Sequence, residues 1–131
     1  MTQESKSATL KVALVAVGIS FIVGIPALMM WIFPSGFGWT PHQPEYEQMI
    51  MGVYATLGVF LILAAKEPER HLSLIWFTIW SSIVHGGIML IQAIVDETDR
   101  MNLVGDVPAL FIVAGVLWWL TPRRSTAANC S

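Results

Sequence analysis

The sequence predicts an all-α protein: a four-helix transmembrane bundle, up-down-up-down, with both termini cytoplasmic, forming one integral membrane domain over residues 1–131. Three observations carry this. Of the 131 residues, 55% are hydrophobic and only 12% are charged, roughly half the ~25% charged share of a soluble domain. A soluble fold of this size has no interior large enough to hide that much apolar surface. The apolar residues also fall into four runs, each long enough to cross about 30 Å of hydrocarbon at about 1.5 Å per residue. Lipid offers no partner to a bare backbone group, so each run must be a helix.

The first run, Val12–Phe33, is uncharged and ends on an aromatic residue and a proline. It exceeds the apolar core of a signal peptide and no A-x-A site follows, so it reads as a retained span. The second covers 47–65; its apolar part, Met49–Ala65, needs the lead-in Tyr46–Gln48 to reach across. Leu72–Val95 is the longest uncharged run. Met101–Leu120, the fourth, carries Asp106 near its start and Trp118 and Trp119 at its end. The short connection Lys66–His71 predicts that spans two and three are antiparallel neighbours. Pro26 predicts a bend in span one.

Orientation follows from the basic residues. Lys6, Lys11, Lys66, Arg70, Arg123 and Arg124 fall on one side of this topology and Arg100 alone on the other. The positive-inside rule makes the first side cytoplasmic. Trp31, Phe33, Phe37, Trp39 and Tyr46 then line the outer interface, and Trp76, Trp118 and Trp119 the inner one. The loop Pro34–Pro44, rich in Pro, Gly and aromatics, reads as a compact outer cap. Ser20 with Gly24, Gly52 with Thr56, and Ser82 with Gly86 are small-xxx-small pairs that permit close helix approach.

Composition excludes several functions. A net charge of −2 without a basic run leaves nucleic-acid binding no electrostatic basis. The single cysteine, Cys130, allows no disulfide framework and no thiolate metal site. Neither a P-loop, a G-x-S-x-G elbow nor an H-E-x-x-H helix occurs. No catalytic residue and no cofactor is identified.

The informative chemistry lies in span three. At about 100° per residue, Thr78, Ser81, Ser82, His85, Met89, Gln92 and Asp96 share one arc. Such a polar stripe must face protein or a cavity. His85 sits near mid-bilayer and has three readings: a neutral imidazole bonded to a neighbouring helix, a proton carrier or ligand contact, or a metal or haem ligand. The first has the better support, because no second His or Cys lies in a span. In span two, Glu47, Met51, Tyr54 and Gly58 share a face, and antiparallel packing brings Tyr54 level with His85. Glu47, Tyr54, His85 and Gln92, flanked by Ser81 and Ser82, form the candidate polar cluster. For Glu47 the better-supported reading is a role at its helix N-terminus, where its charge suits the macrodipole, with Tyr54 then only packing. Asp106, in Gly-Asp-Val-Pro, reads as an N-cap. The methionines suggest adaptable packing rather than copper handling.

The stretches Tyr46–Tyr54 (YEQMIMGVY) and Leu74–Leu90 (LIWFTIWSSIVHGGIML) resemble a family of small bacterial four-span membrane proteins known only as a domain of unknown function. The resemblance spans Pro34 to Thr121. It implies the fold and a multi-pass location in the bacterial inner membrane, and it brings no activity.

Three functions fit. The leading one is a structural or accessory subunit that binds other membrane helices, lipids or pigments, alone or as a homo-oligomer. The second is an oligomeric small-molecule or proton-coupled carrier with a polar site around His85. The third is a membrane redox or enzyme module, for which the sequence offers no adequate ligand or nucleophile set. The topology has a direct test. Impermeant thiol reagents applied to intact cells are expected to spare Cys130 and to label a Thr40→Cys variant; the opposite pattern reverses the orientation.

Overall fold

The computed structural model describes residues 2–37 and 44–123. Trp39, Thr40 and the middle of the expected outer cap lie outside the described residues, as do Arg124 and Cys130. Four helices are long and apolar enough to cross a membrane. Helix α1 runs Gln3–Ile32, and a short turn, α2, covers Pro34–Phe37. Helices α3, α4 and α5 span Pro44–Ala64, Leu72–Val95 and Asp106–Leu120. One 3-10 turn, Pro68–His71, joins α3 to α4, and another, Glu97–Leu103, leads toward α5.

Helix α1 starts earlier than its uncharged run because Thr2 caps it, its hydroxyl accepting from the Ser5 N–H at 3.2 Å. Lys6 and Lys11 are therefore helical, with long stems that let the charges reach the interface. Pro26 has the expected effect on this helix in a specific form. It sits in a three-residue α-helical piece, Ile25–Ala27, between two π-helical turns, Ser20–Gly24 and Leu28–Ile32. Proline has no N–H and its ring crowds the preceding turn, so the ladder widens on either side. The Ile25 N–H bonds the Ser20 carbonyl, and the Phe33 N–H bonds the Leu28 carbonyl at 2.9 Å.

Backbone packing runs α1 on α3, α4 on α5 and α1 on α5. Spans two and three are neighbours through their side chains, Tyr54 of α3 meeting His85 of α4, whereas their backbones approach less closely than those of these three pairs. The reason lies in the glycines. A Cβ on Gly18 would stand 2.6 Å from Ile62 Cγ1 and 2.7 Å from the Gly58 carbonyl oxygen, and one on Gly58 would stand 2.5 Å from the Gly18 oxygen. The two backbones touch, which draws α3 onto α1. On the other side, Gly86 abuts Phe111 and Leu110 of α5, at 3.2 and 3.4 Å from its Cβ position. Of the three small-residue pairs read from sequence, only Ser82–Gly86 faces a helix. Ser20 is exposed, Gly24 meets only its own helix, and a Cβ on Gly52 would enter open space.

The apolar core occupies the end of the bundle that carries Lys6, Lys11 and Lys66. Leu10, Leu14, Leu61, Ile75, Ile79 and Leu117 are its most buried members. Thr78 and Ile79 are both fully buried, so α4 is covered over a wider arc than its polar stripe alone. At the rim, Trp76 and Trp80 each meet Trp118 edge-to-face, at 5.3 and 5.6 Å. Lys6 lies over Trp119 at 5.4 Å and Arg123 over Trp118 at 5.9 Å.

The acidic end is built differently. Asp96 caps the 3-10 turn, its Oδ1 accepting from the Thr98 N–H and hydroxyl at 2.9 and 2.8 Å. Those bonds hold its carboxyl below the usual carboxylate range. The turn then packs on α2, where the backbones of Gly105 and Gly36 touch: a Cβ on Gly105 would lie 2.8 Å from the Gly36 carbonyl carbon. The segment thus descends into the bundle before α5 begins, which explains why α5 has 15 residues. Replacing Gly58 with Ala is expected to cost about 1–3 kcal/mol, the range for overpacking a tight contact. A detergent unfolding titration measures it, with Gly52→Ala as the control that loses nothing.

Candidate functional site

Three helices deliver polar side chains to one point in the acidic half. Tyr54 of α3 and His85 of α4 are hydrogen-bonded, phenol oxygen to imidazole Nδ1. Their rings are near-parallel, with centroids 5.8 Å apart. On the far side of the imidazole, Nε2 faces Asp106 Oδ2 of α5 at 3.9 Å. The side chains of His85 and Asp106 are 27% and 12% exposed, so the pair is largely withdrawn from the surface.

Each member is held by packing. Phe21 of α1 is buried edge-to-face against Tyr54, with centroids 4.9 Å apart. The Gly18–Gly58 contact, one turn away on both helices, fixes that approach. His85 precedes Gly86, where α4 lies closest to α5. Asp106 is lowered to the level of His85 by the 3-10 turn and the Gly36–Gly105 contact.

The three residues line a narrow pocket with Ile25, Met29, Ile50 and Met89. Its free space, about 10 Å³, suits a single water. Met29 and Met89 are buried and give it soft, apolar walls. Ile25 and Met29 come from the stretch that Pro26 distorts, so the π turns shape one wall.

Chemically, Tyr54 and His85 are a hydrogen-bonded pair, and Asp106 faces the free ring nitrogen at 3.9 Å, beyond hydrogen-bond reach; the three groups have two settings. In one, the Tyr54 hydroxyl donates to Nδ1 and the ring carries its proton on Nε2, facing the carboxyl. In the other, Nδ1–H donates to the phenol oxygen and Nε2 is a bare acceptor. Passing the phenol proton to Nδ1 and the Nε2 proton to the Asp106 carboxylate turns the first setting into the second. It leaves a phenolate and a protonated carboxyl, and it requires a side-chain shift that closes the 3.9 Å gap.

The other residues of the sequence-derived cluster stand elsewhere. Glu47 is buried two turns of α3 above Tyr54 and is not among the described residues that line the pocket. The carboxyl beside the imidazole is that of Asp106. Ser82 is buried on α4 toward α5, and Ser81 donates to the Thr78 carbonyl at 3.2 Å within its own helix. Gln92 is exposed. It lies in the last turn of α4, where a side-chain amide reaches headgroups and water, so it leaves the buried stripe. Among the described residues, no group of three or more His, Cys, Asp or Glu is placed to hold a metal ion.

Asp106 was the residue sequence reasoning assigned to a local role. It occupies the first position of α5, after Gly105, which makes no side-chain cap bond, and its carboxyl turns to His85. A Gly-Asp-Val-Pro start looks alike whether the Asp caps or points across the bundle. Only the level at which α5 begins distinguishes the two.

Fold and site together define an all-helical protein with four membrane-span-like helices and a polar chain in its interior. The chain belongs to the family of unknown function DUF6632, whose model matches residues 5–129. No curated protein and no solved structure matches it significantly.

Tyr54→Phe removes the partner of His85 Nδ1 and is expected to cost about 1–3 kcal/mol, read by unfolding in detergent. Gln92→Leu is expected to change stability by less than about 0.5 kcal/mol. Equal effects from the two would deny the site its special standing.

Proposed function

We propose that the protein handles protons through Tyr54, His85 and Asp106, as a small proton-coupled membrane carrier or a component of one. The observation that supports this reading is the convergence of the three side chains, from three separate helices, on one nearly closed pocket. Ionisable groups inside a membrane bundle are costly to keep and mark proton relays or ligand contacts by default. The basic asymmetry supports an arrangement in a bacterial inner membrane with Lys11 and Lys66 toward the cytoplasm and the pocket toward the outer side. Asp106 and Tyr54 are the terminal proton partners in this scheme, and His85 passes the proton between them. Glu47, two turns above Tyr54, is a buried acidic residue in the first turn of α3.

A second reading, an accessory subunit that binds other membrane helices or its own copy, has its own support. Phe77 and Trp80 stand out from α4 at 61% and 53% exposure, an aromatic ridge suited to a neighbouring helix. On that reading the polar chain serves packing specificity.

Vesicles containing the purified protein and an internal pH dye separate the two. Under an imposed potassium diffusion potential, proton entry is expected above that of empty vesicles. His85→Leu and Asp106→Asn should each lower it at least ten-fold with the fold retained. Entry equal to that of empty vesicles would overturn the proton reading, and a membrane protein that co-purifies stably would then favour the second.

A further inference from the structure

Away from the polar pocket, α1 and α3 border a shallow, open groove of about 550 Å³ at the basic end. Its walls are apolar, from Val12, Val15, Ala16 and Ile19 on α1 and Ile62 on α3, with the buried Ala65 at its base. Lys11 and Lys66 stand on its two sides. The Gly18–Gly58 contact adjoins its Ile19 and Ile62 end, a Cβ on Gly18 standing 2.6 Å from Ile62 Cγ1. From Lys11 to Ile19 the groove follows α1 for about 12 Å.

Its polarity has a direction. The deep part is hydrocarbon, and the mouth carries two ammonium groups. Among the described residues, neither lysine has a carboxylate within ion-pair distance; Glu67, next in sequence to Lys66, pairs with Arg70 at 2.9 Å. Lys11 follows the buried Leu10, so it is fixed to a packed part of the helix. An occupant complementary to both parts has an apolar chain and an anionic head at a membrane surface.

The geometry points to a binding site for one anionic phospholipid, with an acyl chain along α1 and α3 and the phosphate between Lys11 and Lys66. Two cations at one mouth distinguish it from the general lipid contact of a membrane helix, because basic pockets between spans select anionic headgroups. The site is separate from the His85 pocket, and its occupancy does not depend on proton handling.

The test uses the full chain in detergent micelles, with native mass spectrometry of retained lipid. Phosphatidylglycerol is expected to be retained roughly ten-fold or more in preference to phosphatidylcholine. The Lys11→Gln/Lys66→Gln variant should lose that preference, and Lys11→Arg/Lys66→Arg should keep it. Ala16→Leu, which fills the groove with both lysines in place, should reduce retention of phosphatidylglycerol. Equal retention of the two lipids by the wild-type protein would overturn the inference. So would an undiminished preference in the glutamine variant, which would place the lipid at the Trp118–Arg123 rim instead. The lysines are exposed and the fold is expected to survive; a thermal unfolding midpoint verifies it. Should the glutamine variant fail to fold, the Ala16→Leu result decides, unchanged retention counting against the site.

Discussion

The contact between Gly18 and Gly58 governs the arrangement. With hydrocarbon on all sides, apolar side chains gain little by leaving lipid for one another, so helices associate where their backbones approach most closely. Here the approach leaves no room for a single methyl group on either glycine. Two features depend on it. It places Phe21 against Tyr54 and so orients the phenol toward α4. It sets α1 and α3 as the close pair, leaving α3 and α4 to be joined by the Tyr54–His85 hydrogen bond. It also adjoins, through Ile62, the open apolar groove that the two helices border between Lys11 and Lys66.

The bundle is consequently divided by depth. Its basic half is dense, filled by Leu, Ile and Ala with an indole cluster at the rim. Its acidic half is occupied by polar and sulfur-containing side chains around a water-sized space. The division has a backbone cause on the acidic side: the 3-10 turn and the Gly36–Gly105 contact fill the mouth of the bundle with main chain and start α5 low. Hydrogen-bonding groups in such a place are satisfied by one another, which is why a tyrosine, a histidine and an aspartate occur together. Asn102, in the same turn, is the exception: it is fully buried and both atoms of its amide lack a hydrogen-bond partner among the described residues.

The helices were legible because they are dictated by composition. Long uncharged runs have one solution in lipid, and α4 begins and ends at the residues where its run does. Tyr54 and His85 were also readable as a pair, since both lie at similar depth on polar faces of consecutive spans. Asp106 was hidden by its local context, in which a cap and a cross-bundle contact share one sequence. The governing glycines were hidden for another reason. A search for small residues four apart looks within one helix, whereas this contact takes one glycine from each of two. Gln92 misled in the opposite sense: helical periodicity assigned it a face but not a depth, and near a helix end depth decides.

The π turns of α1 have a consequence for its length. Each is a place where five residues occupy what four would occupy in a regular turn, so the helix holds slack beside Pro26. Losing one residue there, Val23 for instance, tightens a wide turn into an ordinary one and leaves the flanking faces where they were. Losing Val15 has no such remedy. It swings Leu10 and everything before it by about 100° around the axis, away from the core they fill. The membrane-crossing register of this helix is therefore elastic near its acidic end and rigid near its basic end.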